Sequence, residues 1–181
     1  MSKLSKFKKS FLNKFVYDYN FKLDSSYNGR KNLQIIINAT KIFCNNKNIY
    51  LEIGVFRGHT LINNAINNKK IKCVGVDNFS LYNEDKKNLR IIKNKIKENH
   101  LHNVEIINKD FEKATSFIKY KIGVLFIDGP HDYRSQLIAL LKYKKFLAKE
   151  CIIIIDDSNY YHVRKANQDF LDTNEDFFLL K

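Results

Sequence analysis

Short apolar runs alternate with amphipathic segments along most of the chain, as they do in proteins that alternate strands with helices. The apolar runs predict five strands, at residues 49–55, 72–77, 104–108, 122–128 and 151–156. The amphipathic segments predict helices, at residues 30–43, 60–68, 84–99, 111–120, 133–147 and 160–171. Strands that are apolar on both faces are typical of a parallel sheet covered by helices on both sides. The pattern therefore predicts an α/β fold with a doubly wound, mostly parallel sheet.

The two ends of the chain depart from this alternation. Residues 1–29 form a basic amphipathic N-terminal extension, which could dock on its own domain, on a partner or weakly on a membrane surface. Its apolar residues recur at helical spacing among lysines, and they are Leu4, Phe7, Phe11 and Phe15. We expect residues 30–181 to form a single domain, because a chain of this length favours one core. Residues 177–180 could begin a short sixth strand.

The formal net charge of +13 raises the question of a polyanionic partner, either nucleic acid or an anionic membrane. Lysine, asparagine and isoleucine are all heavily used, however, and these residues share AT-rich codons. The lysines are also scattered along the sequence rather than gathered in one stripe. We therefore do not expect a nucleic-acid partner.

The sequence shows no sign of membrane insertion or secretion. No apolar run approaches the roughly 20 residues that a membrane span needs, and no apolar segment follows the basic start as it would in a secretory signal. Cys44, Cys73 and Cys151 are widely spaced and form no CxxC pair, so we interpret them as small hydrophobic residues. These features predict a reduced, cytoplasmic protein without a transmembrane segment.

Acidic residues stand at or near the end of every predicted strand. They are Glu52, Asp77, Asp110, Asp128, Asp156 and Asp157. A single acid at a strand end would mean little, because Asp is common in turns and caps. Ligands of open α/β sheets bind at the carboxyl ends of the strands, so acids from five strands predict a site at that edge.

Two glycines flank the turn that follows the first strand. Gly54 and Gly58 would let a ligand approach the backbone, and the turn amides could face an anionic or polar group. Phe56 stands where a dinucleotide fingerprint needs its middle glycine, which disfavours NAD. Asp77 could hold two ribose hydroxyls, as its equivalent does in Rossmann folds. The set predicts a nucleotide-like ligand other than a dinucleotide.

With these features the chain resembles the class I methyltransferases that depend on S-adenosylmethionine (SAM). Residues 49–58 resemble the first motif of that family, which makes Glu52, Gly54 and Gly58 candidate cofactor ligands. Residues 74–77 resemble its ribose-binding acidic motif. Asp110 and Phe111 resemble the motif that contacts adenine with an acid and an aromatic ring. The resemblance covers roughly residues 30–175, and it implies a Rossmann-like strand order 3-2-1-4-5 with SAM as cofactor.

A more specific resemblance lies in residues 126–133 and 155–157. These segments are similar to the branch that contains macrocin and other sugar O-methyltransferases, which implies a Mg²⁺ ion held by Asp128, Asp156 and Asp157. The same resemblance implies that His131 is the catalytic base beside Asp128. The chemistry agrees, because Mg²⁺ prefers oxygen ligands, a hydroxyl bound to a metal loses its proton more easily, and a neutral histidine can accept that proton.

The C-terminal part departs from the family pattern. Family members finish the sheet with an antiparallel hairpin, but only 24 residues follow Asp157, so we expect this hairpin to be missing. An exposed sheet edge would invite a second copy, which makes a homo-oligomer an alternative to a monomer. The leading hypothesis is metal-assisted O-methylation of a sugar or another small hydroxylated acceptor. The alternatives are a nucleic-acid methyltransferase and a truncated, non-catalytic SAM-binding module.

Overall fold

The computed structural model describes residues 2–12, 29–83 and 86–180. The described strands are β1 (Asn48–Ile53), β2 (Cys73–Val76), β3 (Val104–Ile107), β4 (Lys121–Ile127) and β5 (Leu147–Ile155). The helices are α1 (Lys3–Leu12), α2 (Arg30–Phe43), α3 (His59–Asn67), α4 (Asn88–Glu98), α5 (Phe111–Ala114), α6 (Tyr133–Lys144) and α7 (Tyr161–Asp172). The strands pair in parallel in the order β3-β2-β1-β4-β5, so the predicted architecture and strand order are confirmed.

Helices cover both faces of the sheet, which explains why its strands are apolar throughout. Successive side chains of a strand point to opposite faces. Tyr50 packs into one core with α2 and α3, whereas its neighbour Leu51 packs into a second core with α6 and α7. Both side chains are fully buried. The sheet therefore has no solvated face, and its free surface lies at its edges and at the two ends of its strands.

Several elements start or end a few residues away from their predicted bounds, and two of these differences have a visible cause. The predicted helix 111–120 stops at Ala114, and a single 3₁₀ turn at Thr115–Phe117 carries the chain toward β4. β5 starts at Leu147 rather than at the predicted Cys151. The apolar pattern did not predict this start, because Lys149 and Glu150 interrupt it. Both side chains are exposed in the edge strand.

The predicted sixth strand at 177–180 is wrong. The described chain forms no strand after Ile155. Asn174 accepts a hydrogen bond from the backbone N–H of Phe177, which turns the chain back toward α7. The Phe177 ring then packs against Phe170 with 5.2 Å between ring centroids. Packing against α7 thus replaces pairing with β5, which stays an edge strand in the described part of the sheet.

The described part of the N-terminal extension packs on the domain. Phe7 of α1 is 1% exposed, and its ring meets Phe43 of α2 edge-on at 5.7 Å. The Lys3 ammonium donates to the Phe43 carbonyl. Phe15 lies outside the described residues. Within the described ranges, no helix has the length and apolar character needed to cross a membrane.

Candidate functional site at the carboxyl ends of the strands

Three acids extend the sheet by one residue beyond its strands. The backbone N–H of Asp77 donates to Ile107 at 3.2 Å. Asp128 donates in the same way to Ile53 at 2.9 Å, and Asp156 donates to Ile127 at 3.0 Å. Each acceptor is the last residue of the neighbouring strand. These bonds hold the three acids together at the carboxyl ends of the strands, and we name this end of the sheet the rim.

The turn after β1 brings the chain very close to β4. Gly54 has φ +85°, and a Cβ atom at this position would lie 1.9 Å from the Asp128 carbonyl oxygen. Gly58, the residue before α3, has φ +75°, and Phe56 between them also has positive φ, at +50°. Residues other than glycine rarely adopt a positive φ. The close approach to β4 therefore requires glycine at position 54, and the positive φ of Gly58 favours glycine there.

The Asp77 carboxylate holds this turn in place. Its Oδ2 accepts hydrogen bonds from the backbone N–H of Val55 at 2.8 Å and of Phe56 at 2.9 Å. Its Oδ1 accepts one from Phe79 at 2.6 Å. An ionised carboxylate has about four acceptor positions, so one is left for a further donor such as a ribose hydroxyl. The predicted ribose contact stays a prediction, and the structure adds a positioning role.

Glu52 lies beneath the turn instead of facing solvent. Its carboxylate is 2% exposed and accepts a 2.5 Å hydrogen bond from the Tyr50 hydroxyl. Burial raises the pKa of Glu52 well above its usual range, and the charges of Asp128 and Asp77 act in the same direction against the bond from Tyr50. This places a carboxyl group that favours its neutral form directly under the candidate cofactor site. Its predicted contact with the cofactor is not tested by this geometry.

The two residues predicted to contact adenine have structural roles of their own. Asp110 precedes α5 and caps it, because its Oδ1 accepts the backbone N–H of Glu112 at 2.9 Å. The Phe111 ring packs against the core beneath α6. The Phe111 carbonyl accepts a 2.9 Å hydrogen bond from Tyr143. The adenine contact stays a prediction, and each residue is already explained by local structure.

Asp128, His131 and Asp157 come together at the rim. They can offer one ligand atom each with all three atoms within 4.8 Å of one another. His131 Nε2 lies 3.1 Å from Asp157 Oδ2. Asp157 has φ +49°, a left-handed conformation that Asp tolerates better than most residues. Burial raises the pKa of Asp128 to about 7, and the charges of Asp156 and Asp157 add to this effect.

The structure places Asp156 differently from its two predicted metal partners. Its Oδ1 accepts the backbone N–H of Asp157 at 3.0 Å, and it is not among the three groups whose ligand atoms meet. His131 stands in the third position instead. Two carboxylates and one imidazole fit a divalent cation, but the nitrogen ligand suits Zn²⁺ or another transition metal better than Mg²⁺, which prefers oxygen. The three-acid Mg²⁺ site therefore stays a prediction.

One residue of this region was missed by the sequence reasoning. The Tyr160 ring lies 5.8 Å from the His131 ring between centroids, and 51% of its surface is exposed. A large aromatic side chain that is half exposed beside a candidate base can contact a ligand. Its position three residues after Asp157 was a usable signal, but the adjacent Tyr161 looks the same in sequence.

Comparison with known proteins identifies the family. Residues 51–158, which include the turn after β1 and most of the rim, match a methyltransferase-domain family. This is more than half of the chain, so the chain belongs to that family and, with this fold, to the class I SAM-dependent methyltransferases.

Individual relatives agree with this assignment. An uncharacterised protein, R132, of Acanthamoeba polyphaga mimivirus is 32% identical over 134 residues, which cover 70% of this chain and 59% of the relative. A tRNA (guanine-N(7)-)-methyltransferase of Bacillus cytotoxicus is 28% identical over 134 residues, with 72% and 58% covered. The chain thus spans under two thirds of the length of these relatives.

A solved structure with the same fold is that of CalS11, a TDP-rhamnose 3'-O-methyltransferase of calicheamicin biosynthesis. It superposes with a TM-score of 0.63 at 15% identity, and the match covers 93% of this chain and 84% of CalS11. At this identity the likeness supports the fold. SAM is the methyl donor that defines the class, and the turn after β1 with Asp77 forms its candidate site.

Proposed function

We propose that this chain transfers the methyl group of SAM to a hydroxyl group of a small acceptor, with a sugar as the leading candidate. The observation that carries the proposal is the meeting of Asp128, His131 and Asp157 at the rim. An O-methyltransferase must remove a proton from a weakly acidic hydroxyl, and this cluster contains a histidine with two carboxylates close by.

His131 is the proposed general base. His131 Nε2 lies 3.1 Å from Asp157 Oδ2. A proton held on Nε2 toward this carboxylate would orient the ring and leave Nδ1 as the proton acceptor. The acceptor hydroxyl gives its proton to Nδ1, and its oxygen forms a bond to the methyl carbon of SAM. The carbon–sulfur bond breaks, and its electron pair stays on sulfur. Correct placement of the two reactants supplies much of the rate.

Asp128 and Asp157 are the residues that would hold a divalent cation. Such an ion would supply positive charge that makes an acceptor hydroxyl more acidic. Asp156 contributes negative charge beside Asp128 and fixes the backbone of Asp157. Assistance by a metal ion is thus part of the proposal. His131, paired with Asp157, can act as the general base with or without that ion.

The acid-rich rim favours a small neutral acceptor over nucleic acid. A phosphate backbone would have to approach Asp128, Asp156 and Asp157, and such like-charge contacts are unfavourable. The Bacillus relative acts on tRNA by its name, and the mimivirus relative has no assigned substrate. A sugar meets no such penalty, and Tyr160 offers a ring face against which it could pack.

The test has two stages on the full chain. Calorimetry should first detect SAM binding, and its failure would contradict the whole proposal. Release of S-adenosylhomocysteine is then measured with a panel of hydroxylated acceptors, with added Mg²⁺ or Mn²⁺ and with a chelator. We expect His131→Ala and Asp157→Ala to lower turnover by about 100-fold or more without loss of SAM binding.

The metal contribution is read from the same assay. Metal-dependent turnover that Asp156→Ala or Asp128→Asn abolishes would support the cation site. If a chelator leaves turnover unchanged, no metal ion takes part, and proton removal is the work of His131 paired with Asp157. SAM binding without turnover on any acceptor would favour the non-catalytic module.

A further inference from the structure

The amino ends of the strands carry a basic surface that the proposed methyl transfer does not use. All loops that enter the strands of a parallel sheet lie at one end, opposite the rim. Eight lysines lie in these loops or in the first positions of the strands: Lys47, Lys69, Lys70, Lys72, Lys119, Lys121, Lys145 and Lys149. We name this set the amino-end lysines. All of them except Lys72 are exposed.

Few acids accompany these lysines. In the same loops and strand starts, the acids are Glu105, which pairs with Lys72 at 2.6 Å, and Glu150. Three more exposed acids, Asp172, Glu175 and Asp176, lie at the end of α7, beside the end of α6. The described rim loops show the opposite balance, with six acids, Asp77, Asp110, Asp128, Asp132, Asp156 and Asp157, against four basic residues, Arg57, Lys86, Lys87 and Lys109. Codon usage can explain many lysines in a chain. It does not explain why the basic excess lies at one end of the sheet and the acidic excess at the other.

Two clefts shape this surface. One is lined in part by Lys72, Lys119 and Tyr120, and the Lys72 ammonium lies 4.7 Å from the centre of the Tyr120 ring. The other is lined in part by Lys121 and Lys149, and Lys3 of α1 joins them. Tyr120 is 40% exposed at the first of these clefts.

We propose that the amino-end lysines bind the phosphate backbone of a nucleic acid. Lysine ammonium groups on exposed stems neutralise phosphates without reading sequence. An exposed aromatic ring among them can give an unpaired base a stacking face. The Lys72 ammonium lies over one face of the Tyr120 ring, so only the other face can take this role. The proposal is independent of the proposed methyl transfer, because the two surfaces lie at opposite ends of the strands.

An anionic membrane fits this surface less well. Stable binding to a bilayer surface relies on buried apolar area in addition to charge. At this end, the large apolar side chains that are exposed among the described residues are Phe117 and Tyr120, together with Phe178 and Leu179 on the segment after α7. The apolar face of α1 is not free for insertion at Phe7, which is buried against α2.

The test compares two variants of the full chain that have the same net charge. The first is Lys69→Glu/Lys70→Glu/Lys119→Glu/Lys149→Glu, which reverses four amino-end lysines. The second is Lys86→Glu/Lys93→Glu/Lys109→Glu/Lys113→Glu, which reverses four exposed lysines elsewhere. Fluorescence anisotropy measures binding of a labelled single-stranded oligouridylate of about 20 nucleotides from about 50 to about 200 mM salt.

The wild-type chain should bind the RNA with an affinity that falls steeply as salt is added. For four neutralised phosphates, the logarithm of the association constant should fall against the logarithm of the salt concentration with a slope of about −3. The amino-end variant should bind at least about tenfold more weakly, and the matched variant less than about threefold more weakly. Far-UV circular dichroism and the urea unfolding midpoint should be the same in both variants, which shows that each is folded.

Three results would overturn the proposal. The first is no RNA binding by the wild-type chain. The second is an equal loss in both variants, since this would assign binding to total charge rather than to one surface. The third is tighter binding to phosphatidylserine vesicles than to RNA, lost in the amino-end variant, because this would identify a membrane as the partner. None of these results depends on whether the chain transfers methyl groups.

Discussion

The rim and the amino end of the sheet are built by the same five strands, yet they differ in how their charges are held. At the rim, Asp77 accepts three backbone hydrogen bonds, and Asp128 and Asp156 are tied to neighbouring strands. At the amino end, most of the lysines are exposed on long side chains. Fixed groups can select a ligand geometry, whereas mobile charges supply only attraction. The rim is thus suited to chemistry and the amino end to general polyanion binding.

The strongest test of this comparison is the substitution Gly54→Ala. Its Cβ would lie 1.9 Å from the Asp128 carbonyl oxygen in a backbone with φ +85°. Overpacking and left-handed strain together should lower the free energy of unfolding by about 3 kcal/mol or more and abolish SAM binding. Urea unfolding and calorimetry measure the two effects.

Gly129→Ala is the matched control at the same rim. A Cβ at Gly129 would lie 3.5 Å from its nearest neighbour, Ile53 Cγ2, which is an ordinary contact. The change in stability should therefore stay below about 1 kcal/mol. Similar losses in both variants would show that the Gly54 contact has no special role.

The next largest effect should come from Asp77. Asp77→Ala removes the acceptor for the backbone N–H groups of Val55, Phe56 and Phe79. The turn should lose its shape, and SAM should bind about 100-fold more weakly by calorimetry. Asp77→Asn keeps one oxygen, so its loss should be about tenfold. Unchanged SAM affinity in Asp77→Ala would rule out both the positioning role and the ribose contact.

Asp128 should make the metal-free protein sensitive to pH. Burial with the nearby acids raises the pKa of Asp128 to about 7, compared with about 3.9 in an unfolded chain. Between these values the folded protein binds more protons than the unfolded chain, so stability falls as pH rises. With a chelator present, Asp128→Asn should therefore be more stable than wild type at pH about 8, by about 1–2 kcal/mol, but not at pH about 4.

Asp132→Asn gives a control of opposite sign. The hydrogen bond from Ser135 lowers the pKa of Asp132, so its charged form stabilises the folded chain above the unfolded pKa. Removing that charge should destabilise the protein near neutral pH and have little effect in acid. Urea titrations at the two pH values measure both variants. An identical pH response in Asp128→Asn and wild type would contradict the buried-acid account.

The smallest expected effect concerns the acceptor. Tyr160→Ala removes the ring beside His131, and the KM for an active acceptor should rise by about fivefold, with SAM affinity unchanged. Tyr161→Ala is the control, because the Tyr161 ring packs against His162 and is also exposed. Steady-state kinetics on both variants checks this. Equal KM changes would remove Tyr160 from the acceptor site.

Sequence patterns could predict the rim because its acids follow apolar strands directly. Asp77, Asp128 and Asp156 each stand one residue past a strand, and a parallel sheet brings such positions together. The burial of Glu52 and the proximity of His131 to Asp157 depend on how loops bend in three dimensions. Sequence position alone does not determine that bending.

The amino-end lysines show the opposite case. Along the sequence they look scattered, which led us to expect no nucleic-acid partner. The same alternation of strands and helices that predicted the fold also places their loops at one end. The order of the lysines along the sequence does not show that their loops lie at the same end of the sheet. The prediction of a sixth strand was wrong for a related reason. The apolar character of residues 177–180 does not reveal whether they pair with β5 or pack against α7.

The contact between Gly54 and the Asp128 carbonyl also bears on the order in which the molecule is made. The two residues are far apart in the chain, and β4 must emerge from the ribosome before it can lie beside β1. Contacts between distant residues form late in folding, because a long loop must first close. While only the first half of the chain has been synthesised, Asp77 can hold the turn after β1, but β4 is not yet there to pack against it. Until then, the nascent protein should have no competent cofactor pocket.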